Sequence, residues 1–499
     1  MDLLGNLASG FLVGLNPVNL FYCFIGVLIG TLVGVLPGLG PVSTMSILLP
    51  MTFHVPPVGA IIMFAGIYYG AQYGGSTTSI LVNIPGEASS VVTCFDGHQM
   101  ALQGRAGPAL GIAAFGSFIA GTFSVIGLML VAPPLAEAAL KFGSPEYFTL
   151  MLLGMTMLIY LASGSIPKAL IMAVFGIILG SVGIDTISGA PRFTFGILEL
   201  NDGIGLVPLV MGLFGISEVL LNLEQNLQRE IFKSRLSGLF PSRQDWRDSA
   251  KPIARGSILG FFLGILPGGG AVLSSFVSYA IEKRFSKHPE KFGHGAIEGV
   301  AGPESANNSA TGGAFIPLLT LGIPGNVATA MLLGALMIYG LQPGPMLMKN
   351  HPDLFWGVVT SMYVGNVMLL ILNLPLIGLW VQILRVPYRT LFPIILLLCL
   401  IGAYSVNFSK TDVLMMIAFG VVGYLMKKFQ YEGAPLILAY VLGPMMEISL
   451  RQSLTMSNGS LSIFFTRPIS AIGMIVAIVL IISTALPWFR KKRPEICKE

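Results

Sequence analysis

Two interruptions of the same kind limit what this chain can become. Gly34-Val-Leu-Pro-Gly-Leu-Gly-Pro41 and Gly264-Ile-Leu-Pro-Gly-Gly-Gly-Ala271 each break an apolar run, about 230 residues apart, and each is followed by an Ile-Pro-Gly, at 84–86 and 323–325. Proline lacks the N–H a helix needs and glycine loosens it, so an apolar helix broken this way exposes backbone groups. Hydrocarbon cannot satisfy such groups, so they must face protein or a water-filled cavity. Matching breaks in two halves of a membrane chain point to a transporter built from internal repeats around a midplane site.

The medium follows from composition. Of 499 residues, 54% are hydrophobic and 10% charged, with a mean hydropathy of +0.80, which specifies a polytopic membrane protein. Apolar segments able to cross about 30 Å of hydrocarbon fall near 57–82, 107–132, 145–162, 164–183, 204–222, 354–384, 388–404, 411–426, 434–450 and 468–487. The net charge of +5 sits in a few loops and at the C-terminal end, so it reports topology rather than nucleic-acid binding. The stretch 223–255 carries Arg229, Lys233, Arg235, Arg243, Arg247, Lys251 and Arg255 and reads as a cytoplasmic linker. It divides a first transmembrane repeat, 1–222, from a second repeat and tail, 256–499. Cys23, Cys94, Cys399 and Cys497 lack metal-ligand spacing and read as packing or surface thiols.

Charge also orients the breaks. The segment from Gly256 to Ile281 has basic residues on both flanks, the second including Lys283, Arg284, Lys287 and Lys291, which a simple span should not have. Split at Pro267 it gives two pieces of roughly 11 to 14 residues, about 16 to 21 Å each as helix, or little more than half a bilayer. A re-entrant hairpin from the cytoplasmic side fits. Its counterpart, about Asn19 to Phe53 and broken at Pro37, has almost no flanking charge, and counting crossings back from the linker places it on the opposite face. The expected fold is therefore an all-α polytopic membrane protein of two inverted-topology repeats with re-entrant helical hairpins and discontinuous helices, its C-terminus cytoplasmic.

Polar residues gather beside the breaks, in 70–86 and in 302–325. Aligning the Ile-Pro-Gly triplets pairs Gly74 with Gly313 and Asn83 with Gly322. Isolated small pairs such as Gly26 with Gly30 and Gly34, or Gly256 with Gly260 and Gly264, read as close helix packing. The candidate substrate contacts are Ser43, Thr44, Ser76, Thr77, Asn83, Ser274, Ser275, Asn307, Asn308, Ser309 and Thr311, which can donate to an anion together with half-helix N-termini. Candidate Na+ ligands are carbonyls and side chains at Gly38, Gly40, Gly86, Gly268, Glu304, Thr320 and Gly325. Glu304 has three readings: a Na+ ligand, a proton site, or a carboxylate at the cytoplasmic interface. Glu87, Asp96, Lys141, Glu146 and Lys168 read as loop residues, and no histidine has a partner at metal-ligand spacing. A Gly-x-x-x-x-Gly-Lys-Ser/Thr phosphate loop and a His-Glu-x-x-His are both missing, so neither an ATPase nor a metalloprotease is indicated, and no catalytic residue or cofactor is assigned. A secondary transporter is the leading class; a channel or a scaffold without its own substrate site is the alternative.

Leu36-Pro-Gly-Leu-Gly-Pro41, Tyr73-Gly-Gly75, Asp96-Gly97 with Met100-Ala101, Asn201-Asp-Gly203, Leu266-Pro-Gly268, Ala306-Asn-Asn-Ser309, Phe315-Ile-Pro317, Thr320-Leu-Gly-Ile-Pro-Gly325 and Pro343-Gly-Pro345 resemble the large membrane subunit of the tripartite tricarboxylate transporters over nearly the whole chain. The resemblance implies a bacterial inner-membrane permease working with a small membrane subunit and a periplasmic solute-binding protein. It further implies symport of citrate-like or other organic carboxylates, usually with Na+, otherwise with H+. Homodimerisation is a further expectation. Neither resemblance nor spacing names the acid.

Overall fold

The computed structural model describes residues 3–36, 40–161, 165–224, 238–383 and 388–485. It is 81% helical, with five helices long and apolar enough to cross a membrane. The first half runs α1 (Leu3–Gly14), α2 (Pro17–Val35), α3 (Pro41–Leu48), α4 (Pro57–Val82), α5 (Ala106–Ala139), α6 (Ser144–Leu161), α7 (Ile166–Gly180) and α8 (Leu206–Glu224). The second runs α9 (Arg243–Ile265), α10 (Gly270–Phe285), α11 (Glu298–Gly313), α12 (Phe315–Leu321), α13 (Val327–Ile338), α14 (Pro352–Asn373), α15 (Tyr388–Asn407), α16 (Lys410–Lys428), α17 (Gly433–Met456) and α18 (Pro468–Ala485). Between α7 and α8 a two-stranded antiparallel hairpin pairs Gly183 with Arg192 and Ile184 with Pro191.

Local chemistry sets the helix starts. Asn16 caps α2 by accepting from the Val18 N–H, with Pro17 in the first turn. Ser242 and Asp245 form a capping box that starts α9 at Arg243, inside the stretch expected to link the halves. The three basic residues of that stretch before Ser242, Arg229, Lys233 and Arg235, lie outside the described residues, as do Pro37, Gly38 and the C-terminal basic run.

Two glycine-lined helix pairs form the centre. Gly26, Gly30 and Gly34 put α2 directly onto the backbone of α4: a Cβ on Gly30 would stand 2.6 Å from the Ile67 carbonyl oxygen. In the same way Gly256, Gly260 and Gly264 put α9 onto α11, where a Cβ on Gly260 would stand 2.7 Å from the Ala306 Cα. The packing reading of these glycines is what the structure shows, and small residues are how helices approach closely where lipid supplies no hydrophobic drive. Helices α5 and α14 brace the centre, α5 against α4, α9 and α11, and α14 against α1, α2, α4 and α5. Helices α6, α7, α17 and α18 pack together at one side, while α8 packs on α16.

Three local features recur in both halves. Gly74 packs on Gly34, and its counterpart Gly313 packs on Gly264. Asn83 ends α4 in the left-handed conformation at φ 55°, and Gly322 ends α12 the same way at φ 71°. Past each Ile-Pro-Gly stands an extended N-cap with a reciprocal capping box, Glu87 with Ser90 in the first half and Asn326 with Thr329 in the second.

Candidate functional site

The two halves meet where α4 faces α11, and the meeting surface is polar. Glu304, on α11, is fully buried. One of its carboxylate oxygens accepts the Ser76 hydroxyl of α4 at 2.6 Å, and the other accepts the Thr93 hydroxyl. Glu304 is thus a buried carboxylate held by two hydroxyls of the opposite half. One turn on, the Asn308 amide donates to Ser117 of α5 at 2.7 Å and to the Glu304 carbonyl at 3.0 Å. Asn307 is completely buried, and neither its amide nitrogen nor its amide oxygen has a partner among the described residues. Residues 304, 307, 308 and 311 lie along one face of α11 because three and four residues make about one helical turn.

Beside this face lies the first Ile-Pro-Gly break. Glu87 follows it and keeps a little exposed surface, with its carboxylate accepting Ser89 at 3.0 Å and the Gln72 amide at 3.2 Å. Ser89 also donates to the Gln72 amide oxygen at 2.7 Å. At the second break Asn326 donates to the Tyr68 hydroxyl at 2.8 Å, so each cap reaches α4. Gly268 of the second hairpin donates its N–H to the Gly325 carbonyl at 2.9 Å, joining the Pro267 break to the Ile-Pro-Gly after it. In the first half Gly86 abuts the Gly34 carbonyl so closely that no Cβ fits.

The remaining candidates divide by their partners. Thr77 lines a small cavity with Tyr73, Ser76, Ser117 and Asn373, whose water-accessible core is about 10 Å³, room for about one water. Ser309 donates to the Ser257 carbonyl at 2.6 Å and so ties α11 to α9. Thr311, Thr320, Ser274, Ser275 and Thr44 donate to carbonyls four residues back, at Asn307, Ile316, Gly270, Ala271 and Gly40. Ser43 is buried in α3. Asn83 is exposed and serves the end of α4. Gly38 lies outside the described residues.

Sequence reasoning missed two carboxylates read as loop residues, Asp96 and Glu146, while Glu87 does lie in the non-helical segment of the break. Asp96, fully buried in a π-helical turn over Cys94–His98, accepts the N–H groups of Gly293 at 2.9 Å, Gly295 at 2.8 Å and Ala296 at 2.9 Å, and the Tyr279 hydroxyl at 2.9 Å. Glu146 is buried against Arg467 of the second half, 2.5 Å away. Every partner on Asp96 lies about 200 residues away in sequence, so no local pattern could mark it.

Comparison with known proteins bears on this arrangement. The profile of the family described as "Tripartite tricarboxylate transporter TctA family" matches residues 20–438. A protein of Agrobacterium vitis, described as an uncharacterized 52.8 kDa protein in the TAR-I ttuC' 3'region, is 53% identical over 499 residues, covering 100% of this chain and 99% of its own. A second, described as an uncharacterized protein in the TAR-II ttuC' 3'region of the same organism, is 50% identical over 240 residues, 48% of this chain and 99% of its own. No solved structure matches the chain.

Proposed function

The chain belongs to the tripartite tricarboxylate transporter TctA family, and on that premise we propose that it is the permease through which an organic carboxylate, handed over by a periplasmic solute-binding protein, enters the cell with Na+ or H+. The family is a transporter component rather than an enzyme, one of three parts with other subunits and a binding protein. The single observation that carries the reading is the buried contact of Glu304 with Ser76 and Thr93, because it puts an ionisable group at the junction of two repeats. An ionisable residue at depth in a membrane chain costs free energy and marks an ion or proton pathway. Paired breaks on either side of it fit alternating access better than a continuous pore. The cavity at Thr77 is too small for an organic acid, which fits a closed conformation that opens by moving one half against the other.

On this reading the halves are inverted repeats, the stretch around 225–237 is cytoplasmic, and the protein sits in the inner membrane with a small membrane subunit. Co-reconstitution of both membrane subunits into proteoliposomes, with the binding protein outside, tests it. Labelled carboxylate uptake should require the binding protein and an inward Na+ or proton gradient. Uptake indifferent to both gradients and to the binding protein overturns the reading. Asn308→Ala removes the bond to Ser117 and should lower uptake while leaving assembly intact; unchanged uptake would favour the scaffold alternative.

A further inference from the structure

Two carboxylates from opposite halves hang on the same stretch of α4: Glu304 accepts the Ser76 hydroxyl at 2.6 Å and Glu87 the Gln72 amide at 3.2 Å, and residues 72 and 76 stand one turn apart on that helix. Neither carboxylate has an ion-pair partner among the described residues. A pair of carboxylates in a low-dielectric site cannot both stay ionised without a compensating positive charge, and the described residues do not supply one.

The comparison of the two breaks sharpens this. Glu87 and Asn326 hold corresponding N-cap positions with the same reciprocal capping box. Asn caps a helix as well as an acidic residue does, so the cap does not need the negative charge of Glu87. The charge serves something else. Asn307 supplies the second, independent sign: its amide is fully buried on the Glu304 face of α11, and both its oxygen and its nitrogen lack partners among the described residues. A buried amide left unsatisfied costs about 1–3 kcal/mol unless a ligand takes it.

We infer that Glu304, Glu87 and Asn307 together hold one Na+ ion between the two halves, the ion offsetting one carboxylate charge and the Asn307 amide oxygen joining the carboxylate oxygens in an all-oxygen set. Such a set suits a hard cation, and the residual exposure of Glu87 at the break gives the ion its way in. The inference rests on the symport reading above and assigns its coupling site to side chains rather than to the glycine carbonyls of the breaks. Binding and release would then depend on whether the halves stand together, because each contributes one carboxylate.

The test uses the purified full chain in detergent, with NaCl replacing choline chloride at constant ionic strength and thermal unfolding as the readout. Wild-type Tm should rise with Na+, and Glu304→Gln, Glu87→Asn and Asn307→Ala should each need at least about tenfold more Na+ for the same rise. Glu87→Asn keeps the cap, so its loss of response cannot be a folding defect of that turn, and Asn307→Ala carries the test if either carboxylate variant fails to fold. A wild-type Tm indifferent to Na+, or variants that respond as wild type does, overturns the assignment. A Tm that follows pH and ignores Na+ also overturns it, since the pair then holds a proton. Na+-coupled uptake with unaltered Na+ response in the variants would sink this site and leave the transport reading standing; Na+ binding here with uptake blind to every gradient would do the reverse.

Discussion

A methyl group is enough to test the central packing. At Gly260 an added Cβ would overlap the Ala306 backbone, which cannot give way as a flexible side chain could, and Gly30 meets the Ile67 backbone likewise. Gly260→Ala and Gly30→Ala should therefore each cost about 1–3 kcal/mol, read as a lower Tm and a smaller folded fraction on size exclusion. Gly5→Ala is the control, because nothing stands within 4 Å of its Cβ, and its Tm should match wild type. The glycine spacing on these helices was legible in the sequence, since residues four apart share a face. The partners of Glu304 were not: Ser76 and Thr93 are more than 200 residues away, and only folding brings hydroxyls of one half onto a carboxylate of the other.

Elements are held together by a few carboxylates with many donors. Asp96 fastens the segment between α10 and α11 to the first half through three N–H groups, and α10 itself through the Tyr279 hydroxyl. Hydrogen bonds to a charged group are worth about 1.5–3 kcal/mol. Asp96→Ala should cost at least that much and speed proteolysis around 286–297, whereas Tyr279→Phe should cost less; equal protease resistance would remove Asp96 from this role. On the α7–α8 hairpin Asp185 takes the Ser188 hydroxyl at 2.6 Å and the Ile187 N–H at 3.0 Å, with Arg451 at 2.9 Å and Arg192 at 2.5 Å beside it. These hold its carboxyl well below the usual carboxylate range, the Ser188 bond foremost. A depressed folded-state value means stability present above the unfolded value of about 3.9 and lost as pH falls through the folded one. The Tm gap between wild type and Asp185→Asn should thus be widest near neutral pH and close in strong acid; a gap that stays constant with pH refutes the linkage. Glu447, on α17, joins this cluster through Arg192 and Arg451.

Across the whole molecule, the proposed inverted repeat makes a topological prediction. With the linker cytoplasmic, the α7–α8 hairpin and the loop between α10 and α11 should lie on opposite sides of the membrane. Single cysteines at Ser188 and at Ser286 in a Cys-free background should react with an impermeant maleimide from opposite faces, and labelling from one face would refute the inverted arrangement. The membrane medium, the helical class, the two breaks and the pairing of Asn83 with Gly322 were decided by the sequence alone, because hydropathy, proline and glycine act locally on the chain that carries them. Which polar residues meet was decided only by the tertiary structure. A buried carboxylate is stabilised by whatever donors surround it in space: those of Glu304 and Asp96 come from the other half of the chain, and Glu146 takes the Arg467 guanidinium from there besides the nearby Gly143 N–H.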